Sequence, residues 1–376
     1  MDGKERTLCA LNFEPTDRLP IVGGRIRHVE FLTEVAQITV DQFWENPRRV
    51  AIEVADKMGA DAIWGPTLPL KDSDIGAATH IHNTQTRFRS PEDVVKYVDD
   101  LPPLSAIESG FDYGQSYDHY TSQVKCGQDE AGHMLFIPFT GFSVPFHHFY
   151  EFFGLENFFM AIALYPDAIR KLFDFEAERK ALENKAIADA TAREDLVKFI
   201  WGGEDICSNQ GPMISLRSLD SLYFPSLKKA LIPLRDAGIK IIWHSDGNIM
   251  PIVDRLLNVA GVDGFQGLQE ETGVDIEVLA EKPTSREEKT LIVGGVNVPT
   301  IVFGAADDVE AEVERCAQIA EKRGGGLLLC PSSSCGPDVK KDNIYAKFNY
   351  ARCRTLRFNQ GTGQAKWQAE SLTGPI

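Results

Sequence analysis

Short apolar runs recur along the whole chain, and segments with helical periodicity separate them. That alternation constrains the fold more than any other feature. The runs cover residues 19–22, 61–64, 135–139, 197–201, 240–243, 264–267, 291–294 and 327–330. Most are rich in β-branched or aromatic residues and lack the polar alternation of a strand with one wet face. They therefore predict strands covered on both faces, as in a parallel sheet. The stretch VKFIWGG at 197–203 is typical, and 264–267 is the weakest run. Helical patterns fill residues 166–192, 250–259 and 307–322, and a further one at 218–237 must kink or break at Pro225 and Pro233. Strand–helix alternation with eight strands predicts an α/β protein, a single-domain (β/α)8 TIM barrel.

That barrel is expected to span residues 1–360 of 376. The polar stretch at about 70–135, broken by Gly and Pro, reads as an excursion: a small strand ribbon, then a helix from about Asp112. The Gly- and Gln-rich segment 361–376 reads as a polar, partly disordered tail. A net charge of −16 argues against nucleic acid and anionic membranes as partners. No apolar run approaches the roughly 18 residues of a membrane span. Seven scattered cysteines fit reduced thiols better than a disulfide framework, and charges occupy the first residues where a secretory signal needs an apolar stretch. A cytoplasmic location is expected.

Six segments carry a resemblance. They are FEPTDRLPIV, GGEDICSNQGPMIS, IIWHSDGNIMPIVDRLL, VDGFQGLQEETGVDI, LIVGGVNVPTIVFGAADDVEAEV and GGGLLLCPSSSCGPDVKKDNIYA, in this order along nearly the whole chain. Together they resemble the uroporphyrinogen decarboxylase superfamily. One branch decarboxylates tetrapyrroles without a cofactor and carries R-Q-A-G-R after the first strand and an Asp after the second. Here GGRIRHVEF keeps Arg25 and Arg27 without that spacing, and DAIWGPTLPL has no such Asp. The other branch transfers methyl groups with corrinoid proteins and holds zinc with H-x-C and a later Cys. Here HSDG keeps His244 and puts Asp246 in place of the first Cys, while Cys335 stands at the later position.

The residues themselves support chemistry at the strand ends, where barrel active sites lie. His244 follows the run at 240–243, and Asp246 shares its side if the chain is still extended. Asp246 either ligates a metal, orients His244 or caps the next helix. Cys335 lies in a Ser-rich loop beyond Cys330; it is either a thiolate ligand or an inert thiol, whereas Cys330 reads as core. His244, Asp246 and Cys335 would give a catalytic zinc ion three protein ligands and an open position. Glu204 and Asp205 follow the fourth strand. One is a catalytic acid or further ligand and the other a cap, with Cys207 as an alternative ligand. Glu271 and Asn297 occupy mouth positions, and Gly294 and Gly295 allow close approach of backbone to a ligand. Phe142 and Phe146 either line a substrate pocket or pack in the core, His147 and Arg25 are expected at that pocket, and Phe152, Phe153, Phe158 and Phe159 are expected to pack in the core. No G-x-G-x-x-G opens a helix, so no nucleotide is expected.

The expected activity is zinc-dependent methyl transfer from a small methylated substrate, with O-demethylation of an aromatic methyl ether as one form. The corrinoid protein that receives the methyl group is implied by the resemblance alone. A homodimer is also expected. The competing readings are a decarboxylase without cofactor, a methylcobamide:thiol methyltransferase and a barrel that only binds.

Overall fold

A computed structural model describes residues 1–71 and 87–358. The expected tail at 361–376 lies outside these residues, as do residues 72–86 of the segment expected to hold a strand ribbon; the described part of that segment forms helices and no strand. Between residues 87 and 135 the chain forms the helices Pro91–Asp99, Ser105–Gly110 and Tyr113–Ala131, the last capped by Asp112.

Each of the eight apolar runs meets a strand. The first sheet contains β1 (Val22–Gly23), β2 (Ala62–Trp64) and β3 (Leu135–Ile137) in that order. The second contains β4 (Phe199–Gly203), β7 (Lys240–His244), β8 (Gly264–Gln266), β9 (Leu291–Val296) and β10 (Leu327–Pro331), in the order β10-β9-β8-β7-β4. A short antiparallel hairpin, β5 (Cys207–Ser208) with β6 (Gly211–Pro212), projects from the loop after β4. All other pairings between these strands are parallel. Parallel bridges link the two sheets: Phe139 with Trp201, and Ile21 with Leu329.

Both faces of these strands are apolar, which is why the runs lack alternation. One face, with Val22, Trp64, Ile137, Trp201, Ile242, Val293 and Cys330, forms a single inner cluster. The other, with Ile63, Phe136, Ile200, Trp243, Phe265 and Leu329, packs on the helices. The helix Gly3–Leu11 adds Ala10 and Leu11 to the inner cluster at the N-terminal strand ends. There the Lys240 ammonium and the Arg323 guanidinium lie 5.8 and 5.3 Å from the Phe13 ring centre.

The prolines act as their chemistry requires. The expected helix at 218–237 is interrupted by a wide turn at Leu219–Tyr223, and Pro225 stands in the first turn of the helix Phe224–Asp236. Pro233 is accommodated inside that helix. The long helix Pro166–Arg193 packs between Phe224–Asp236 and Tyr113–Ala131. No helix among the described residues is long and apolar enough to cross a membrane.

Candidate metal centre at the strand ends

Side chains alternate along a strand, so His244 shares the inner face with Ile242. It ends β7, opposite Gly203 of β4 and Gln266 of β8. Gly203 must be glycine: a Cβ there would lie 2.1 Å from the His244 carbonyl oxygen, and its φ is +147°. This close approach lets the Glu204 N–H donate to the same carbonyl at 3.1 Å. The chain then turns so that Asp205 Oδ1 accepts the Asp246 N–H at 2.8 Å.

Three ligand atoms converge as a result. His244 Nε2 stands 3.8 Å from Asp205 Oδ1 and 3.9 Å from Asp246 Oδ1. One donor atom from each residue lies within 4.8 Å of the other two. Burial pushes the Asp246 carboxyl above its ordinary range; His244 opposes the shift and Asp205 reinforces it. Asp246 Oδ1 and His244 Nδ1 are both enclosed and have no hydrogen-bond partner among the described residues. Gly267 lies against that imidazole: a Cβ there would sit 2.7 Å from Nδ1.

Of the expected set His244, Asp246 and Cys335, the first two converge, with Asp205 and without Cys335. After β10 the backbone bends at residues 332–333 and then pairs again: Cys335 N–H donates to Arg25 O, and Arg27 N–H to Cys335 O, both at 2.7 Å. That pairing fixes a buried thiol near Arg25 and Lys347, and burial raises its pKa. Cys207 is also buried, its pKa pushed up to about 12 by desolvation and by the Asp205 charge. Cys330 is core.

Glu204 braces the site instead of facing a substrate. Its Oε1 accepts from Ser143 Oγ at 2.7 Å, and its Oε2 from the N–H groups of Phe146 and His147, both at 2.9 Å. Burial raises its pKa against those three bonds. The brace places His147 Nδ1 3.7 Å from Asp205 Oδ2, with Nε2 2.9 Å from Glu151.

Phe142 and Phe146 are fully buried, so neither lines an open pocket. Phe146 packs among Phe158, Phe173 and Tyr223. Phe153 and Phe158 are core, with Phe152 and Phe159 packed against it. Glu271 is exposed on the rim. Its neighbour Glu270 is the engaged acid, pairing with Arg315 at 2.5 Å and accepting from Asn297 at 2.7 Å. Asn297 also donates to Glu312 at 3.1 Å, so it stays within a structural network.

Beside Asp205, His244 and Asp246 lies a further set of residues, of which the sequence pointed only to Arg25. Trp64 and Trp201 stack at 4.3 Å, and Trp201 meets His244 edge-on at 5.8 Å. The Arg25 guanidinium carbon sits 5.7 and 5.6 Å from the two indole centres. Gln266 is fully buried on the inner face. Its one sequence signal is an amide closing an apolar strand. A hollow of about 400 Å³ lies farther out, beside Tyr120, Phe139 and Lys180, and contains none of the three ligands.

Comparisons with known proteins follow this geometry. No curated protein sequence matches the chain. Among solved structures, a methyltransferase from Methanosarcina mazei is similar, with a TM-score of 0.56 and 17% identity, over 94% of this chain and 98% of that one. The sequence profile described as Uroporphyrinogen decarboxylase (URO-D) matches residues 2–353. The chain belongs to the uroporphyrinogen decarboxylase family.

Proposed function

We propose that the protein is a metal-dependent methyltransferase. It moves a methyl group from a small methylated substrate, such as an aromatic methyl ether, to a corrinoid protein. The observation that carries this reading is the convergence of Asp205, His244 and Asp246 at adjacent strand ends. We read the two bridged parallel sheets as one closed (β/α)8 barrel, with this group at the face where such barrels do their chemistry. The transfer chemistry and the corrinoid partner rest on the likeness to methyltransferases of this family.

The donor set fits zinc. Imidazole and carboxylate are both zinc ligands, three ligands leave one position open, and Asp246 Oδ1 has no competing partner. Asp205 takes the place expected for Cys335. When bound, zinc would act as a Lewis acid on the ether oxygen and stabilise the charge that develops as the methyl group leaves. The protein's own residues do the rest. The Asp246 N–H holds Asp205 in orientation, and Gly267 leaves room for the His244 ring. Glu204, a positioning residue, sets His147 beside Asp205, where its imidazole can deliver a proton to the departing oxygen. Trp64 and Trp201 wall the site with apolar surface and limit the entry of water.

Elemental analysis of the purified protein, with His244→Ala and Asp205→Ala, is the test. About one zinc per chain, lost in both variants, supports the centre. Incubation with an aromatic methyl ether and cob(I)alamin should then yield methylcobalamin. Consumption of methylcobalamin by a thiol would assign the reverse direction. No zinc after growth in zinc-supplemented medium would remove the premise and favour a decarboxylase without cofactor.

A further inference from the structure

The His244 ring presents its two nitrogens to different neighbours. Nε2 faces Asp205 and Asp246, at 3.8 and 3.9 Å. Nδ1 faces the end of β8, where a Cβ on Gly267 would stand 2.7 Å from it. Once Nε2 gives its lone pair to a metal, Nδ1 must carry the ring hydrogen and becomes an obligate donor. Yet Nδ1 is enclosed, and nothing among the described residues accepts from it. Metal-binding histidines almost always donate that second hydrogen to a carboxylate, a carbonyl or a water, which fixes both the tautomer and the ring orientation.

Gln266 stands where that acceptor is needed. It ends β8 in parallel register with His244, so the two side chains leave the same face of adjacent strands about 4.8 Å apart. Gln266 is fully buried, and its Oε1 and Nε2 both lack a partner. Burying an unbonded amide is unfavourable, so packing alone does not account for a Gln at this position. The other unpartnered groups around the centre cannot serve. The indoles of Trp64 and Trp201 and the Nε of Arg25 only donate, and Asp246 Oδ1 stands on the Nε2 side of the ring. A carboxylate in place of Gln266 would also accept, but it would add a third negative charge beside Asp205 and Asp246. An amide accepts without adding charge.

We infer that Gln266 is a positioning residue of the metal centre: a rotation of its amide brings Oε1 onto His244 Nδ1–H and holds the imidazole in the tautomer that offers the Nε2 lone pair to the metal. This rests on the proposed metal centre. The terminal torsion of a Gln amide is broad, so the rotation needs no change in the strand pairing.

Zinc affinity, by competition with a chelator, and nitrogen NMR of the histidine rings test this on wild type, Gln266→Met and Gln266→Glu. The His244 signals are those missing from His244→Ala. Gln266→Met, which keeps the length of the side chain and removes the acceptor, should bind zinc about 10- to 100-fold more weakly and lose the slowly exchanging Nδ1–H signal of the zinc-loaded wild type. Gln266→Glu, which keeps an acceptor, should stay within about tenfold of wild type and keep that signal. A residue that serves packing alone gives the opposite order, because a buried Met is tolerated better than a buried Glu. Retention of the protected Nδ1–H signal in Gln266→Met, or weaker zinc binding by Gln266→Glu than by Gln266→Met, overturns the role of Gln266 and leaves the metal centre intact. Should Gln266→Glu fail to melt cooperatively, the Nδ1–H signal of Gln266→Met decides alone. If wild type binds no zinc, the metal reading falls and the zinc-free rings decide. Nδ1–H in wild type but not in Gln266→Met then keeps the positioning role, and one tautomer shared by both overturns it.

Discussion

The two ends of the strands treat buried polar groups in opposite ways. At the N-terminal end, Asp61 accepts from Arg6 Nη1 at 2.6 Å, Arg18 Nη1 at 2.6 Å and the Ile21 N–H at 2.8 Å. Asp263 there accepts from the Ile241 N–H and from Arg286 Nε, both at 2.9 Å. At the C-terminal end, Arg25 Nε, His244 Nδ1, Asp246 Oδ1 and the Gln266 amide have no partner. An unsatisfied buried group costs about 1–3 kcal/mol. The buried carboxylates of the N-terminal end are satisfied within the fold, although Arg323 Nε goes unpartnered there, whereas unsatisfied groups gather at the C-terminal end.

Asp61→Asn should break the contrast most severely. It leaves Arg18 without its carboxylate and Arg6 with Asp17 alone, and a loss of about 3 kcal/mol is expected in urea unfolding. A change below about 1 kcal/mol would mean that the paired end is not a source of stability. His244→Ala should do the reverse. It should leave the unfolding midpoint of the zinc-free protein within about 1 kcal/mol of wild type, because His244 makes no close bond to lose. Zinc affinity should fall by more than the roughly 100-fold that loss of a supporting partner costs. A large drop in stability of the zinc-free variant would assign the imidazole a folding role.

Gly267→Ala sharpens the same point at lower cost. Its φ of +91° and the 2.7 Å approach to His244 Nδ1 predict about 1–3 kcal/mol of strain and a tilted imidazole. Zinc affinity should fall by about 10- to 100-fold, measured by competition with a chelator. The smallest effect belongs to Glu314, whose hydrogen bond to Arg354 holds its pKa down to about 2. A depressed carboxyl stabilises the fold above its unfolded pKa of roughly 4.3 and loses that contribution as the pH falls towards the folded value. Glu314→Gln should therefore cost up to about 1 kcal/mol at pH 7, and the gap to wild type should close between about pH 4 and pH 2. A gap that persists at pH 2 would show that something other than this ion pair was lost.

The strands were legible in the sequence because both of their faces are buried, so that each appears as an unbroken apolar run. His244 and Asp246 were legible for a related reason: strand ends in a parallel sheet point to one side. Direction beyond the strand was harder to read. Glu204 and Asp205 are adjacent acids, yet one turns back to hold Phe146 and His147 while the other turns to His244. Phe142 and Phe146 follow β3 as mouth residues would, but the chain folds them under the helix Pro166–Arg193, where Asn184 of that helix donates to Phe142 O at 2.9 Å. Cys335 depends on a partner about 300 residues away, since the 25–27 segment fixes it, and no local pattern carries that pairing.

The same long-range pairing has a consequence for biosynthesis. Ile21 bridges to Leu329, Gly326 donates to Ala10, and Cys335 locks onto the 25–27 segment. A nascent chain emerging from the ribosome must hold β1 with one flank bare until almost all of the polypeptide has been made. Such late closure slows folding, and an exposed strand edge recruits other chains meanwhile. Chaperone dependence and sensitivity to premature termination should therefore concentrate on the last strand, long after the residues of the active site have been synthesised.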